Sequence, residues 1–391
     1  MIRITFIILS TIFAQSAIAQ VSLQTVLDSV AANNLQIKAS SENRDAEVAF
    51  TRTGLTPVDP HVEYGYFPGS NSEIGNKSTL SVTQSFYFPT VYARKKDGAK
   101  LSGEKSGELH RFTTRNVLMD AASQYIEMVY LDKCGVELKK RAADAENVKV
   151  LFDKRLQSGD ANQMEINKVR IEASRWANEL SLNEARRNEK IQILVAMNGG
   201  RTFVLTNPEY PIWQLLPVDS ILSNAIQNDP VLKAMGYEQQ IAGNNVKLQQ
   251  SLWLPQFKAG YGQETILNGS YRGVQAGVSI PLWQNKNTVK YAQMQQQAKE
   301  SSAFAYTQQL KSNLAAKYQV AISLKNNFEE YQKIVESIQS QDLLKKSLSS
   351  GNISVLEYYR ELSSWYETYD RYLVSAKDYY LEMVYLMQYQ W

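Results

Sequence analysis

Two glutamates stand at equivalent places in one repeated pattern, Leu-x-x-Gly-x-x-x-x-x-Glu, which runs from Leu156 to Glu165 and again from Leu348 to Glu357. Asp160 follows the first glycine, Gly159, and Asn352 follows the second, Gly351. Acids placed this way around a symmetric pore would form rings that favour cations. The competing reading is that Asp160 or Asn352 caps the helix that follows.

Catalytic chemistry finds little support. Glu329-Glu330 and Glu357 with Glu361 are paired at ordinary helical spacing, and no accompanying pocket is evident that would separate their pKa values for acid-base work. His61 and His110 are far apart in sequence, a poor basis for a His-based metal site or a Ser-His-Asp arrangement. The single Cys134 excludes an internal disulfide framework and a multi-cysteine metal site. Residues 69–78 resemble a phosphate-binding loop at first sight. Five residues separate Gly69 from Gly75, however, Asn76 precedes Lys77, and the segment lies between two strand patterns, so it reads as a hairpin loop. Lys95-Lys96 and Lys139-Lys140-Arg141 read as solvated helix faces. Forty-two basic against 39 acidic residues give a net charge of +3, which implies no nucleic-acid partner. The sequence assigns no catalytic, cofactor or metal residue and reads as a non-enzyme.

The elements that must position the two glutamates also come in duplicate. Pro60, Gly65 and Tyr66 match Pro255, Gly260 and Tyr261 at one offset of 195, as Leu27, Asn33 and Lys38 match Leu222, Asn228 and Lys233. Residues 82–86 align with 278–282, and 156–160 with 348–352, at offsets of 196 and 192. Two copies of one unit therefore account for nearly the whole chain. The first repeat spans 20–205, a linker 206–217, and the second repeat 218–391.

Each unit opens with a short amphipathic helix, residues 23–33 or 218–228, and a second helix running towards residue 53 or 251. The period then changes to two. Val62, Tyr64 and Tyr66 alternate with Glu63, Gly65 and Phe67, and Leu80, Val82, Gln84 and Phe86 alternate with Ser81, Thr83 and Ser85. Phe257, Ala259, Tyr261 and Gln263, then Val274, Ala276, Val278 and Ile280, repeat the alternation. Strands are expected at about 60–67, 78–88, 256–265 and 273–281, with polar loops at 69–77 and 267–273. Helical periodicity follows over about 91–157 and 161–198, and again over about 288–349 and 353–389. Val355, Tyr358, Leu362, Trp365, Tyr369 and Tyr372 step by threes and fours, which marks a coiled-coil seam.

Residues 1–19 read as an export leader: Arg3 precedes an apolar run, and Ala17-Ile18-Ala19 supplies a small-x-small cleavage site before Gln20. No later stretch has the roughly 20 apolar residues of a spanning helix. Four strands leave open edges that cannot face lipid, so a barrel would be shared between chains, and three copies give 12 strands.

This order of leader, doubled strand pairs, long helix pairs and doubled Gly turns resembles the TolC-like outer-membrane efflux factor family over nearly the whole mature chain. The resemblance implies a mainly α fold with a β-barrel portion: four strands per chain in a trimeric 12-stranded outer-membrane barrel, set on long coiled-coil helices forming a periplasmic α-barrel. It implies a homotrimer in contact with outer-membrane lipid, docked at tips near Gly159 and Gly351 onto a periplasmic adaptor and an inner-membrane transporter. The candidate gate residues are Gly159, Asp160, Glu165, Gly351, Asn352 and Glu357. The family's best-known members close the tunnel with a Tyr and an Arg near the second tip bonded to an Asp near the first. Here those positions are Leu348, Ile353 and Glu165, so the acid is kept and its partners are not.

The expected role is a passive exit duct, with a weak lean towards drugs or metal ions over secreted proteins. The rivals are a duct for type I protein secretion and a non-conducting periplasmic coiled-coil rod or adaptor. Fractionation separates duct from rod: a rod washes off with the periplasm, whereas a barrel is expected to require detergent and to migrate as a trimer.

Overall fold

The computed structural model describes residues 22–205, 207–337 and 340–390. The leader assigned to 1–19 and its junction at Gln20 lie outside the described residues. Helix α1 (Leu23–Asn33) buries Leu23, Val26, Leu27 and Val30 on one stripe, and Ser22 caps it by accepting from the Thr25 N–H. Asn34 then caps α2 (Leu35–Thr51), accepting from the N–H groups of Gln36 and Ile37. The second unit repeats this joint 195 residues later (229 − 34 = 195). Asp229 ends α5 (Val218–Asn228) and caps α6 (Pro230–Ser251), accepting from the Leu232 N–H at 2.7 Å.

Strands β1 (His61–Phe67), β2 (Lys77–Phe86), β3 (Gln256–Ile266) and β4 (Gly269–Ser279) form one antiparallel sheet in the order β1-β2-β3-β4. The β2–β3 pairing joins the two repeats. Register places Val62, Val82, Tyr261 and Val274 in one row, and Phe86, Phe257 and Val278 in another, all on one face. The opposite face carries Glu63-Ser81-Gly262-Gly273 and Ser85-Lys258-Gly277. The alternation read from sequence thus becomes one apolar and one polar face. The second hairpin departs from expectation: the 267–273 loop shrinks to Leu267-Asn268, because Ile266 already pairs with Gly269. Polar Ser270 and Arg272 conceal that strand from a hydrophobicity reading.

Helix α3 (Pro89–Gln157) has 69 residues and is about 100 Å long at 1.5 Å per residue. It turns at Gly159 into α4 (Gln163–Met197). In the second unit, α7 (Thr288–Ser337) and α8 (Ser340–Ser349) cover the rod expected as one helix, with residues 338–339 outside the described set, and α9 (Val355–Met387) returns. The coils are α3 with α4 and α7 with α9; α6 packs against both α3 and α7, while α2 packs against α3. No described helix is long and apolar enough to cross a membrane.

One buried cation ties three rods together. Arg141 on α3 is 2 % exposed and donates in bidentate fashion to Asp370 on α9 at 2.8 and 3.0 Å. Its Nε donates to Glu137, one turn away, and its guanidinium lies 4.1 Å from the Tyr366 ring centroid and 5.1 Å from that of Trp176 on α4. The basic run expected to be solvated is therefore divided: Lys139 and Lys140 are exposed, whereas Arg141 is core. A buried Arg is stable when its fork is fully paired and its plane stacked, and carboxylates on two helices provide that pairing.

Arg141→Ala is expected to cost about 3–5 kcal/mol, chiefly because Glu137 is left buried and unpaired; half-exposed Asp370 keeps its water. Burial already raises the Glu137 pKa. The folded chain therefore holds that proton more tightly than the unfolded one, a contribution present at low pH and lost as pH rises through the folded pKa. Denaturant titration should show a smaller loss for the variant at pH 5 than at pH 8.

Candidate functional site

Both tips are built by the same local code. Gly159 and Gly351 have φ of +80° and +75°, left-handed values that glycine adopts without strain. At the first tip the Gly159 N–H donates to Leu156 and the Asp160 N–H to Arg155; at the second, Gly351 donates to Leu348 and Asn352 to Ser347. The next helix then starts with a capping box in each case. Asn162 accepts from the Glu165 N–H while Glu165 accepts from the Asn162 N–H, both at 3.0 Å. Ser354 and Glu357 repeat the exchange at 3.2 and 2.9 Å.

The caps are therefore Asn162 and Ser354, two residues beyond the Asp160 and Asn352 considered from sequence. Asp160 instead accepts from the Ser158 hydroxyl at 2.7 Å and is exposed, as is Asn352. Glu165 and Glu357 are shared between the repeats for a helix-starting reason. At Glu357 the hydrogen bonds from the Ser354 N–H and hydroxyl hold the carboxyl below its ordinary pKa.

The structure brings the two tips together through a residue that the sequence did not single out. Arg155, on the last turn of α3, donates from Nη2 to the backbone carbonyls of Leu348 at 3.3 Å and Ser349 at 2.9 Å. Its guanidinium also lies over Phe152. Lys345 of α8 pairs with Asp144 of α3 at 2.7 Å. Leu348, at one of the departed latch positions, is itself buried among Phe152, Ile166, Val355 and Tyr358, with Ile353 packed beside it. Because the acceptors are main-chain carbonyls, no residue type marks this tie in sequence; the only hint is a cation near the end of a helix.

Elsewhere the chemistry is structural. Among the described residues no group of three or more His, Cys, Asp or Glu is arranged to hold a metal. Burial raises the Cys134 thiol to about 11, which disfavours the reactive thiolate. His110 meets Ser40 at 3.2 Å and His61 lies on β1. In the 69–78 loop the Gly69 N–H and the Ile74 N–H donate to the Asn76 and Asn71 side chains, so both glycines serve a hairpin. An open groove of about 830 Å³ is lined by Arg94, Lys100, Gln240, Asn244 and Gln296.

A polar-and-apolar sheet beneath which two long helical hairpins run to matched tips is the TolC-like outer-membrane channel fold. Among solved structures the chain is similar to the outer membrane protein VceC of Vibrio cholerae, at a TM-score of 0.76 and 12% identity over 94% of this chain and 95% of that one. The MtrE outer membrane channel of Neisseria gonorrhoeae, solved in its open state, matches at 0.76 and 12%, over 94% and 88%. The Campylobacter jejuni CmeC outer membrane channel matches at 0.70 and 14%, over 94% and 85%. At such identities the likeness establishes the fold. No family model and no curated protein matches the chain.

Replacing Ser354 by Ala should destabilise the first turn of α9 by about 1 kcal/mol. Because the Glu357 pKa is depressed in the folded chain, its half of the box contributes above the unfolded pKa and fades as pH falls through the folded value. The protection factor of the Glu357 amide should fall in the variant, and that of the Ser354 amide should fall in the parent on acidification, each taken relative to intrinsic exchange at the same pH; unchanged protection would show the box to be idle.

Proposed function

We propose that the chain is the outer-membrane duct of a tripartite efflux system, acting as a homotrimer whose barrel sits in lipid and whose rods reach through the periplasm. The observation that carries this reading is the sheet itself: an apolar face, a polar face, and two unpaired edges, β1 and β4. Unpaired edges are not tolerated in hydrocarbon, so further strands must come from other copies. The helices support the same conclusion. Helix α6 packs extensively on both α3 and α7 where its counterpart α2 packs extensively on α3, and α2 exposes Leu35 and Phe50 while α7 exposes Tyr291, Met294 and Phe304. One flank of the chain lacks what the other flank offers, which is the condition for a head-to-tail ring. Trp253, Phe257, Leu282 and Trp283 are exposed where strands meet helices, a place suited to an interfacial aromatic belt.

Transport through such a duct is passive, with energy supplied by the inner-membrane transporter and coupling by the periplasmic adaptor. Small molecules or metal ions are the cargo this reading favours. Control lies at the tips, at Gly159, Asp160, Glu165, Gly351, Asn352 and Glu357. The Arg155 tie to the Leu348 and Ser349 carbonyls takes the place of the departed Tyr and Arg latch, and adaptor docking must release it.

Reconstitution in planar bilayers tests these statements in turn. The parent should conduct weakly as a trimer, and Arg155→Ala should raise its mean conductance several-fold. A monomeric or non-inserting protein would sink the duct reading. Neutralising Asp160 and Glu165 should reduce cation preference without abolishing current, and a silent barrel would count against the acidic ring.

A further inference from the structure

Resting on the duct reading, we infer that Lys258 and Glu63 are the residues through which the barrel wall discriminates permeating ions by charge, each acting at its own level. The row assignments show why. On the polar face the row through Lys258 is Ser85-Lys258-Gly277, and the row through Glu63 is Glu63-Ser81-Gly262-Gly273. Each row therefore holds a single charge among residues no larger than serine. Neither Lys258 nor Glu63 has an ion-pair partner among the described residues, and both are exposed. The other two charges of that face, Lys77 and Glu264, cancel each other at 2.7 Å.

The glycines are part of the device. A Cβ at Gly260 would lie 2.6 Å from the Val82 carbonyl oxygen, and one at Gly262 would lie 2.6 Å from the Gln275 side chain. The row between the two charged rows, His61-Thr83-Gly260-Gln275, holds no Asp, Glu, Lys or Arg, and the glycines keep it clear at 260 and 262, so Lys258 and Glu63 are the fixed charges that project at these levels. Along β3, position 258 and the row of Gly262 are four residues apart, about 13 Å at the strand rise. The Debye length at physiological salt is about 8 Å, so the two levels act separately and do not neutralise each other. Repeated by the three-fold axis, Lys258 forms a ring that attracts anions and Glu63 a ring that attracts cations. A solute carrying both charges meets a favourable contact at each level, whereas a simple ion of either sign meets one opposed ring.

Reporter cysteines read each level without involving the tips. In a Cys134→Ser background, Ser85→Cys places a thiol in the Lys258 row and Ser81→Cys one in the Glu63 row. Their modification rates by an anionic and a cationic methanethiosulfonate are measured on trimers in vesicles, at one fixed pH because His61 stands in the row between. Adding Lys258→Gln should lower the anion-to-cation rate ratio at position 85 about twofold, and adding Glu63→Gln should raise it at position 81 about twofold. Lys258→Arg should keep the parent ratio, and the paired control Lys77→Gln with Glu264→Gln should leave both ratios unchanged. Thiols that react at ratios indifferent to Lys258 and Glu63 would overturn the inference while leaving the duct intact. Thiols inaccessible to both reagents in a correctly assembled trimer would overturn the lumenal assignment and the duct reading with it.

Discussion

A β-strand edge cannot stand open in hydrocarbon, because each unpaired N–H and C=O there costs several kcal/mol. Every other feature of this chain is consistent with that constraint. Four strands bury little by themselves: the sheet is exposed on both faces along β4, and its outer edges, at β1 and β4, have no strand partner among the described residues. A sheet like this acquires a stable environment when other copies complete it. The duplicated sequence provides a way, since a unit that already packs against its own repeat through β2 and β3 can pack against another copy through β4 and β1.

The helices follow from the same demand at a different scale. Rods as long as α3 need support along their length, and they receive it from seams of small and aromatic residues interrupted by a few fully paired polar groups. Arg141 with Glu137 and Asp370 is one such group; Asp229 is another, fully buried, bonded by Arg115 at 2.8 Å and by the Tyr306 and Tyr389 hydroxyls at 3.2 Å. Removing one partner from a buried network of this kind costs more than the network contributes when intact, which makes these points poor places for motion.

Much of this was legible in sequence because the signals were periodic. Alternation at 62–66 and 80–86 gave faces as well as strands, the 3-4 steps from Val355 to Tyr372 gave a seam, and matched offsets gave the repeat. What escaped had no periodic or compositional trace. Arg141 looked like its exposed neighbours Lys139 and Lys140 because burial depends on Asp370, 229 residues away. Arg155 escaped because it bonds to main-chain oxygens, which every residue possesses. The caps fell at Asn162 and Ser354 because the Gly turn uses two more residues before the next helix starts, and the tight hairpin at 267–268 was hidden by polar residues on β4.

The two repeats differ most informatively where they are most alike. At the α1–α2 joint the capping residue is neutral: Asn34 donates to the Met197 carbonyl, and Asn198 gathers Ser29 and Asn33 around it. At the α5–α6 joint the same position is Asp229, held by Arg115 and two tyrosines. Both joints pair their capping residue, one with amides and one with charge, so neither offers an inexpensive alternative arrangement. The tips are different. There α8 meets α3 through a donor on Arg155 and an ion pair between Lys345 and partly buried Asp144, polar contacts outside any fully buried network. Under the proposed duct reading these polar contacts are the part of the fastening that a docking partner can exchange, while Leu348 stays packed among Phe152, Ile166, Val355 and Tyr358.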